Sequence, residues 1–297
     1  MEIRLLLQEN KLIKKVIVII PCAGEGTRIQ DITQNIPKAL IKIAALNNTP
    51  IIDQLVLSLT KIGIKKIAII TGHLGSKLKE HVERYLTLKS QLKNKLILID
   101  SGQEYKKGPL YSFLSIINNN EIFRKKYIYA LFPCDTIFQN TLIKEIFKII
   151  SLNLKSIKST PIVIYKNVNT KLIKQLYKET LIESFKYLSI LNTKKINGKE
   201  NLIEISKIDL KLIPKGIIKL MVPVLIFDYN FVKQILEVSN LTPAKTISKA
   251  LNILIKRGKM ILTYKVNPDL KFYDIDDKYD LMLINSMEKK MDNSSFE

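Results

Sequence analysis

The sequence contains no tryptophan and only two cysteines, Cys22 and Cys134, in 297 residues. Two cysteines cannot build a disulfide framework, so a reducing compartment is the natural setting and the cytoplasm is the expected location. No apolar run approaches the roughly 18–20 residues that cross a bilayer, so no membrane span is expected. The run from Val16 to Ile20 is flanked by Lys14 and Lys15 and stops at Pro21, and it reads as a buried strand. The N-terminus carries an early acid, Glu2, and no small-residue cleavage site follows a long apolar core, so no secretory signal is expected. A long basic block is also missing, although the formal net charge is +21. Lysine greatly outnumbers arginine, and the lysines are scattered among abundant Ile and Asn. That pattern fits ordinary surface positions in an AT-rich coding bias. A nucleic-acid partner is not expected, while a general attraction for polyanions such as NTPs is.

What is present is a hydrophobic content of 46% and an alternation of short apolar strands with amphipathic helices. Residues 14–22, 65–72, 95–102 and 126–135 read as strands. Residues 50–63, 76–89, 108–119 and 140–153 read as helices, with Ile52, Leu55, Leu59 and Ile62 on one face of the first and Gly63 as its stop. Asn140 or Thr141 is the expected cap of the fourth helix. This order predicts an α/β fold with a doubly wound, mostly parallel sheet, whose ligands sit outside the carboxyl ends of the strands. The second half is less regular. Residues 160–168 and 219–228 read as strands. Residues 243–259 read as a helix with Pro243 in its first turn and Gly258 near its end. A final strand, turn and helix follow to residue 285. Between the strands at 160–168 and 219–228 lies a Lys- and Asn-rich stretch, roughly residues 166–215, with a turn at Asn197-Gly198, read as an inserted hairpin or β-rich lobe near the ligand site. The expected organisation is one domain over residues 15–288, with core segments 15–160 and 217–288, an insert at about 161–216, an N-terminal extension 1–14 and a polar tail 289–297.

The chemistry begins where the first strand ends, at Cys22-Ala23-Gly24-Glu25-Gly26-Thr27-Arg28. Two glycines there permit positive φ and close approach of a phosphate, and successive N–H groups can cradle an anion. The third glycine of a dinucleotide fingerprint is replaced by Ile29, and the Gly-Lys-Ser/Thr of a P-loop is absent. Arg28 and, after a loop, Pro37-Lys38 add two cations, enough to neutralise a triphosphate. Asp135 ends an apolar strand, and Asp274 and Asp276 alternate across Ile275 and so face one side of an extended segment. Such oxygen ligands suit Mg²⁺. Asp276 and Asp277 have a competing reading as caps of the final helix. Cys22 and Cys134 read as small buried residues and His73 as a turn residue at the rim. Glu25, awkward beside a triphosphate, is expected to point to solvent.

The run from Gly24 to Lys38, with Thr33 inside its loop, resembles the signature of the sugar-nucleotide pyrophosphorylase superfamily of nucleotidyltransferases. Thr71-Gly72-His73, Tyr111-Ser112-Phe113 and Tyr273-Asp274-Ile275-Asp276 look like segments of phosphocholine and inositol-1-phosphate cytidylyltransferases. The resemblance implies a Rossmann-like, GT-A-like core. It implies transfer of a nucleoside monophosphate from an NTP, CTP or another pyrimidine nucleotide, to a small phosphorylated acceptor with release of pyrophosphate. It further implies catalytic roles for Arg28, Lys38 and Asp135, and a metal site for Mg²⁺ at Asp135, Asp274 and Asp276. Nucleotide contacts are implied at Ala23, Gly24, Gly26, Thr27, Arg28, Lys38, Thr71, Gly72, Gln103 and Gly108, the last two at the five-residue spacing with which sugar-nucleotide enzymes meet the base. Pro133-Cys134 before Asp135 departs from the usual setting of that acid. A choline phosphate would need aromatic faces, for which Tyr111, Tyr127 and Tyr273 are the candidates, whereas a polyol or sugar phosphate would need hydrogen-bonding groups from the insert. Thymidylyl- or uridylyltransfer to a sugar 1-phosphate, guanylyltransfer to molybdopterin, a silent nucleotide-sensing relative and a nucleic-acid binder are the alternatives. A homo-oligomer is compatible with all of them.

Overall fold

A computed structural model describes residues 14–89, 92, 95–177 and 186–287. The expected N-terminal extension, apart from residue 14, the polar tail 289–297, and residues 178–185 of the expected insert lie outside the described residues. In chain order the strands are β1 (Val16–Pro21), β2 (Lys42–Ile43), β3 (Thr49–Pro50), β4 (Lys66–Thr71), β5 (Leu96–Asp100), β6 (Ile128–Leu131), β7 (Thr136–Phe138), β8 (Ile162–Asn169), β9 (Tyr187–Ile196), β10 (Lys199–Asp209), β11 (Ile217–Asp228), β12 (Leu262–Lys265) and β13 (Phe272–Asp274). The α-helices, renumbered in order, are α1 (Gln30–Thr33), α2 (Ile51–Lys61), α3 (Gly75–Leu88), α4 (Pro109–Leu114), α5 (Asn140–Ile157), α6 (Thr170–Leu176), α7 (Tyr229–Leu241), α8 (Ile247–Lys256) and α9 (Lys278–Ser286).

The continuous apolar run of β1 is explained by burial on both faces. Val16, Val18 and Ile20 point into one core, shared with Leu55 and Leu59 of α2 and Ile143 and Ile146 of α5. Ile17 and Ile19 point into the other, shared with Phe113 of α4, Val232 and Ile235 of α7 and Leu251 of α8. β4 alternates in step: Ile67 and Ile69 join the first core, Ala68 and Ile70 the second. Each fully buried Ile contributes roughly 1.5–3 kcal/mol, so the two-sided strand fixes both helical layers at once. α2 buries Ile52, Leu55, Val56 and Leu59, the i, i+3, i+4, i+7 stripe of an amphipathic helix, and Gly63 ends it at φ 91°.

The sheet order is β5-β4-β1-β6-β11-β8-β12-β10-β9. The four strands β5, β4, β1 and β6 are parallel, as the βα alternation predicts. The rest corrects the expectation of a mostly parallel, doubly wound sheet. β11 runs antiparallel to both β6 and β8, and β10 is antiparallel to β12 and β9, with β12–β8 the parallel exception. The expected turn at Asn197-Gly198 joins β9 to β10 with positive φ at both residues, 50° and 74°, the backbone that a tight hairpin demands. That hairpin continues the main sheet.

Two helix starts also differ from expectation. Neither Asn140 nor Thr141 caps α5: Gln139 occupies the cap position, without a side-chain capping bond, and its Oε1 instead accepts from the Lys271 N–H. Thr246, whose hydroxyl accepts from the Lys249 N–H, starts α8, so Pro243 lies ahead of the helix.

This layout places the loops after β1, β4 and β6 at one edge. β8 and β11 then overshoot that edge. Ile162 and Val163 pair with the same part of β11 that pairs with β6, and Tyr165 to Asn169 continue beyond it against Met221 back to Ile217. The register shifts between Val222 and Leu225, around Pro223, which has no N–H to give a ladder. The overshoot forms a wall above the ends of the parallel strands.

Gly72 fastens two of the edge loops. A Cβ there would lie 2.7 Å from the Ala23 Cβ and 2.9 Å from the Ser101 Oγ. Gly72→Ala is therefore expected to cost about 1–3 kcal/mol by overpacking, read as a Tm lowered by roughly 2–10 °C. Gly24→Ala, where nothing lies within 4 Å of the added carbon, is the neutral control. An unchanged Tm for Gly72→Ala would contradict this packing.

Candidate active site

The edge of the sheet opens into a cleft of about 1600 Å³. Its floor is the loop after β1. Gly26 adopts φ 66°, and its carbonyl accepts from the Ile29 N–H at 2.9 Å and from the Thr33 hydroxyl at 3.1 Å. A side chain at Gly26 would meet Thr33 Cγ2 at 3.0 Å. Thr33 thus holds the glycine loop in shape from the first turn beyond it. Gly24 is open to the cleft, and the exposed Glu25 lines it too.

Pro37 leads into a short turn of 3₁₀ helix that begins at Lys38 and aims that side chain inward. Its Nζ lies 2.6 Å from Asp135 Oδ2, with only 12% of the side chain exposed. Burial opposes the charge on Lys38, but Asp135, helped by Asp276, outweighs it and holds the ammonium above its ordinary pKa. Arg28, 64% exposed, reaches Asp276 Oδ1 at 2.9 Å.

The carboxylates meet because β7 and β13 pair. Asp274 stands opposite Thr136, and the Ile275 N–H donates to the Asp135 carbonyl at 2.9 Å. Thr136 donates its hydroxyl to Asp274 Oδ1 at 2.5 Å. Desolvation, then the neighbouring Asp276, raise the Asp274 pKa to about 6 against the pull of Lys186. For Asp276 burial acts upward, yet Lys186, Arg28 and Lys38 together bring the carboxyl below its usual range. Asp277 caps α9 in a capping box with Asp280, which leaves the Asp276 side chain to face Arg28 and Lys186.

The structure thus brings Ala23, Gly24, Gly26, Thr27, Arg28, Lys38, Asp135, Asp274 and Asp276 to one cleft. Thr71, Gly72, Gln103 and Gly108 do not line it. Thr71 is buried, with its carbonyl accepting from the Ser101 hydroxyl, and Gly72 and Gly108 pack against Ala23 and Lys245. Gln103 is exposed, and on that side Tyr105, Lys106, Pro109 and Ser112 form the lining. Of the proposed aromatic faces only Tyr273 lines the cleft, joined by Tyr105, Tyr177, Tyr187 and Phe272. Tyr111 donates to the Ser239 carbonyl, and Tyr127 is buried beneath Lys66 and Lys126, because both serve the second core. Cys22 and Cys134 are buried, and burial pushes the Cys22 thiol well up, away from nucleophilic use. The His73 ring tilts against Tyr105, and the His73 backbone N–H donates to the Ala23 carbonyl.

Sequence reasoning missed several lysines of this cleft. Lys186, at the start of β9, is buried and bonds both oxygens of Asp280 at 2.8 Å, with Asp276 at 3.7 Å. Burial disfavours its charge, and the surrounding carboxylates restore it. Lys207 and Lys166 line the cleft from β10 and β8. Among the described residues no three Asp, Glu, His or Cys side chains gather as a self-sufficient metal cage. Asp135 and Asp276 beside the glycine loop nonetheless fit Mg²⁺, which is usually held by one or two carboxylates, with phosphate oxygens and water.

Comparison with known proteins agrees with this geometry. Residues 18–195 match the MobA-like NTP transferase domain. A 72-residue stretch is 35% identical to 2-aminoethylphosphonate cytidylyltransferase of Lancefieldella rimae, covering 24% of this chain and 28% of that protein. A UDP-glucose pyrophosphorylase complexed with UDP-glucose superposes with a TM-score of 0.65 at 20% identity, over 92% of this chain and 98% of that one. CTP:phosphocholine cytidylyltransferase from Streptococcus pneumoniae gives 0.58 at 17% identity, over 92% and 99%. At such identities these structures show a shared fold, a Rossmann-like core with a mixed sheet. The matched domain covers more than half of the sequence and contains the glycine loop, Lys38 and Asp135: the chain belongs to the MobA-like NTP transferase family.

Proposed function

We propose that this chain is a magnesium-dependent nucleotidyltransferase that moves a nucleoside monophosphate from a pyrimidine NTP, with CTP as the donor, to a small phosphorylated acceptor. The observation that carries the reading is the paired contact Lys38–Asp135 and Arg28–Asp276 at the foot of an open glycine loop. The local identity to a cytidylyltransferase supports the choice of CTP. The acceptor is a sugar or polyol phosphate in preference to phosphocholine, because the acceptor side of the cleft carries lysines where a cationic head would want carboxylates.

In the proposed step an oxygen of the acceptor phosphate attacks the α-phosphorus in line. A new P–O bond forms, the bond from the α-phosphorus to the bridging oxygen breaks, and its electron pair leaves with pyrophosphate. No general base is needed, since the attacking phosphate is already an anion. Lys38 and Arg28 offset charge on the α-phosphoryl and leaving oxygens, and the Gly24–Thr27 backbone positions the triphosphate. Asp135 and Asp276 would hold Mg²⁺, which would supply further charge neutralisation to the phosphates. Asp274, held by Thr136, lies beside that pair. Lys186 neutralises Asp280 and keeps the β13–α9 turn in place.

Pyrophosphate release with CTP, UTP, dTTP, ATP and GTP, each with Mg²⁺ and a panel of sugar, polyol and choline phosphates, tests the reading. CTP is expected to give the highest rate, and a clear preference for GTP or ATP would overturn the pyrimidine assignment. Asp135→Asn is expected to lower turnover at least ~100-fold, about 2.7 kcal/mol of transition-state stabilisation, measured well below a Tm that falls because Lys38 loses its carboxylate. Near-wild-type turnover at saturating Mg²⁺ would remove Asp135 from the chemistry.

A third expectation concerns binding alone. Without ligands Asp135 and Asp276 are each held by a cation that the triphosphate can draw away. Mg²⁺ should therefore bind at least ten-fold more tightly in the presence of CTP than by itself in calorimetry, and by linkage CTP should gain equally from Mg²⁺. Because Mg²⁺ also binds free CTP, the titrations are referred to the Mg·CTP complex. A Mg²⁺ affinity that CTP leaves unchanged would contradict the exchange.

A further inference from the structure

The glycine loop accounts for the anions of an NTP, yet a second cationic cluster stands elsewhere in the same cleft. Lys166 projects from the overshooting part of β8 and lines the cleft with Lys271. Its ammonium lies over the Phe272 ring, with Nζ 5.2 Å from the centroid, and donates to the Leu270 carbonyl at 2.6 Å. The partner is thus a neutral carbonyl, whereas Lys38 and Lys186 each have a carboxylate. Lys271 is the neighbouring cation and the exposed Asp269 the neighbouring acid. Desolvation, then repulsion from Lys271, bring the Lys166 pKa down to about 8. An ammonium held in a half-buried place against its own solvation, and beside a like charge, is stabilised by any anion that arrives. Phe272 is two residues before Asp274 on β13, about 7 Å along a strand. The cluster therefore stands one strand repeat away from the carboxylates, a reach that a small substituted phosphate spans.

We propose that Lys166 and Lys271 form an oxyanion subsite on the acceptor side of the cleft, which receives a second negatively charged group of the acceptor in addition to the phosphate that reacts. The inference rests on the nucleotidyltransferase reading for the word acceptor, but the subsite itself rests on the geometry. It narrows the substrate class to phosphorylated acids or bisphosphates and disfavours phosphocholine and other acceptors with a cationic head.

A matched pair of probes tests it: glycerol 3-phosphate and 3-phosphoglycerate share a carbon skeleton and a phosphate, and the latter adds a carboxylate. Titrated into the protein loaded with Mg²⁺ and non-hydrolysable α,β-methylene CTP, which replaces CTP to prevent turnover, 3-phosphoglycerate is expected to bind at least ten-fold more tightly than glycerol 3-phosphate. Lys166→Met keeps an unbranched apolar side chain beside Phe272. It should abolish that preference while leaving the affinity for glycerol 3-phosphate and the nucleotide unchanged, and its Tm should not fall. Lys271→Ala, at an exposed position, should weaken the preference without any folding effect. Equal affinity of the wild type for both probes would overturn the subsite, as would tighter binding of phosphocholine. An equal loss of both probes in Lys166→Met would also overturn it, placing Lys166 on the reacting phosphate instead. Pyrophosphate formation without a probe preference would sink the subsite alone. A preference without pyrophosphate formation from any NTP would sink the enzymatic reading and leave the subsite standing.

Discussion

The ion pair between Lys38 and Asp135 is the contact on which the rest of this cleft depends. Its partners lie 97 residues apart and come from loops that follow different strands. Each loop is fixed in its own way, one by its local backbone and one by a distant partner. Pro37 sets the backbone before Lys38, and Asp135 is held between β6 and β7, its carbonyl tied to Ile275. The pair is partly buried, so each partner is expensive to leave unmatched. That cost makes the ligand-free cleft self-neutralising. The same cost recurs at the buried Lys186–Asp280 pair, whereas the exposed Arg28 meets Asp276 with little desolvation.

Charge balance also explains why the carboxylates of the β13 segment behave differently although they are neighbours. Asp276 has three cations around it and is held ionised. Asp274 is desolvated next to two other carboxylates, with a hydroxyl as its closest partner, and is pushed toward neutrality. A site in which acids and cations are already paired can accept a metal and a polyphosphate together with little change in net buried charge. Accepting either alone would strand a charge. The partners of these pairs come from separate elements of the fold.

The parts of this arrangement legible in the sequence are those whose information is local. The parallel half of the sheet follows from strand–helix alternation, and the glycine loop, Arg28, Thr33 and Lys38 follow from spacing within one 15-residue stretch. Asp277 as a cap and Asp276 as a site residue could be weighed from the alternation of one short segment. The antiparallel half was hidden, because apolar strands such as β8 and β11 look alike in either direction, and Pro223 falls where a register shift hides its missing donor. Lys166, Lys186 and Lys207 could not be picked out of a lysine-rich chain, since only distant partners distinguish them. Lys186 meets Asp280 across 94 residues. Tyr111 and Tyr127 looked available as aromatic faces because nothing nearby shows that the second core claims them.

Which phosphorus atom of the nucleotide is transferred separates nucleotidyl transfer from phosphoryl transfer. CTP labelled at the α-phosphate, and in a parallel sample at the γ-phosphate, can be incubated with the protein, Mg²⁺ and a phosphorylated acceptor, and the products separated. Nucleotidyl transfer predicts that the α label joins the acceptor phosphate in a new diphosphate-linked product, while the γ label appears only in pyrophosphate. Appearance of the γ label on the acceptor, or of the α label only as free CMP, would contradict the central claim.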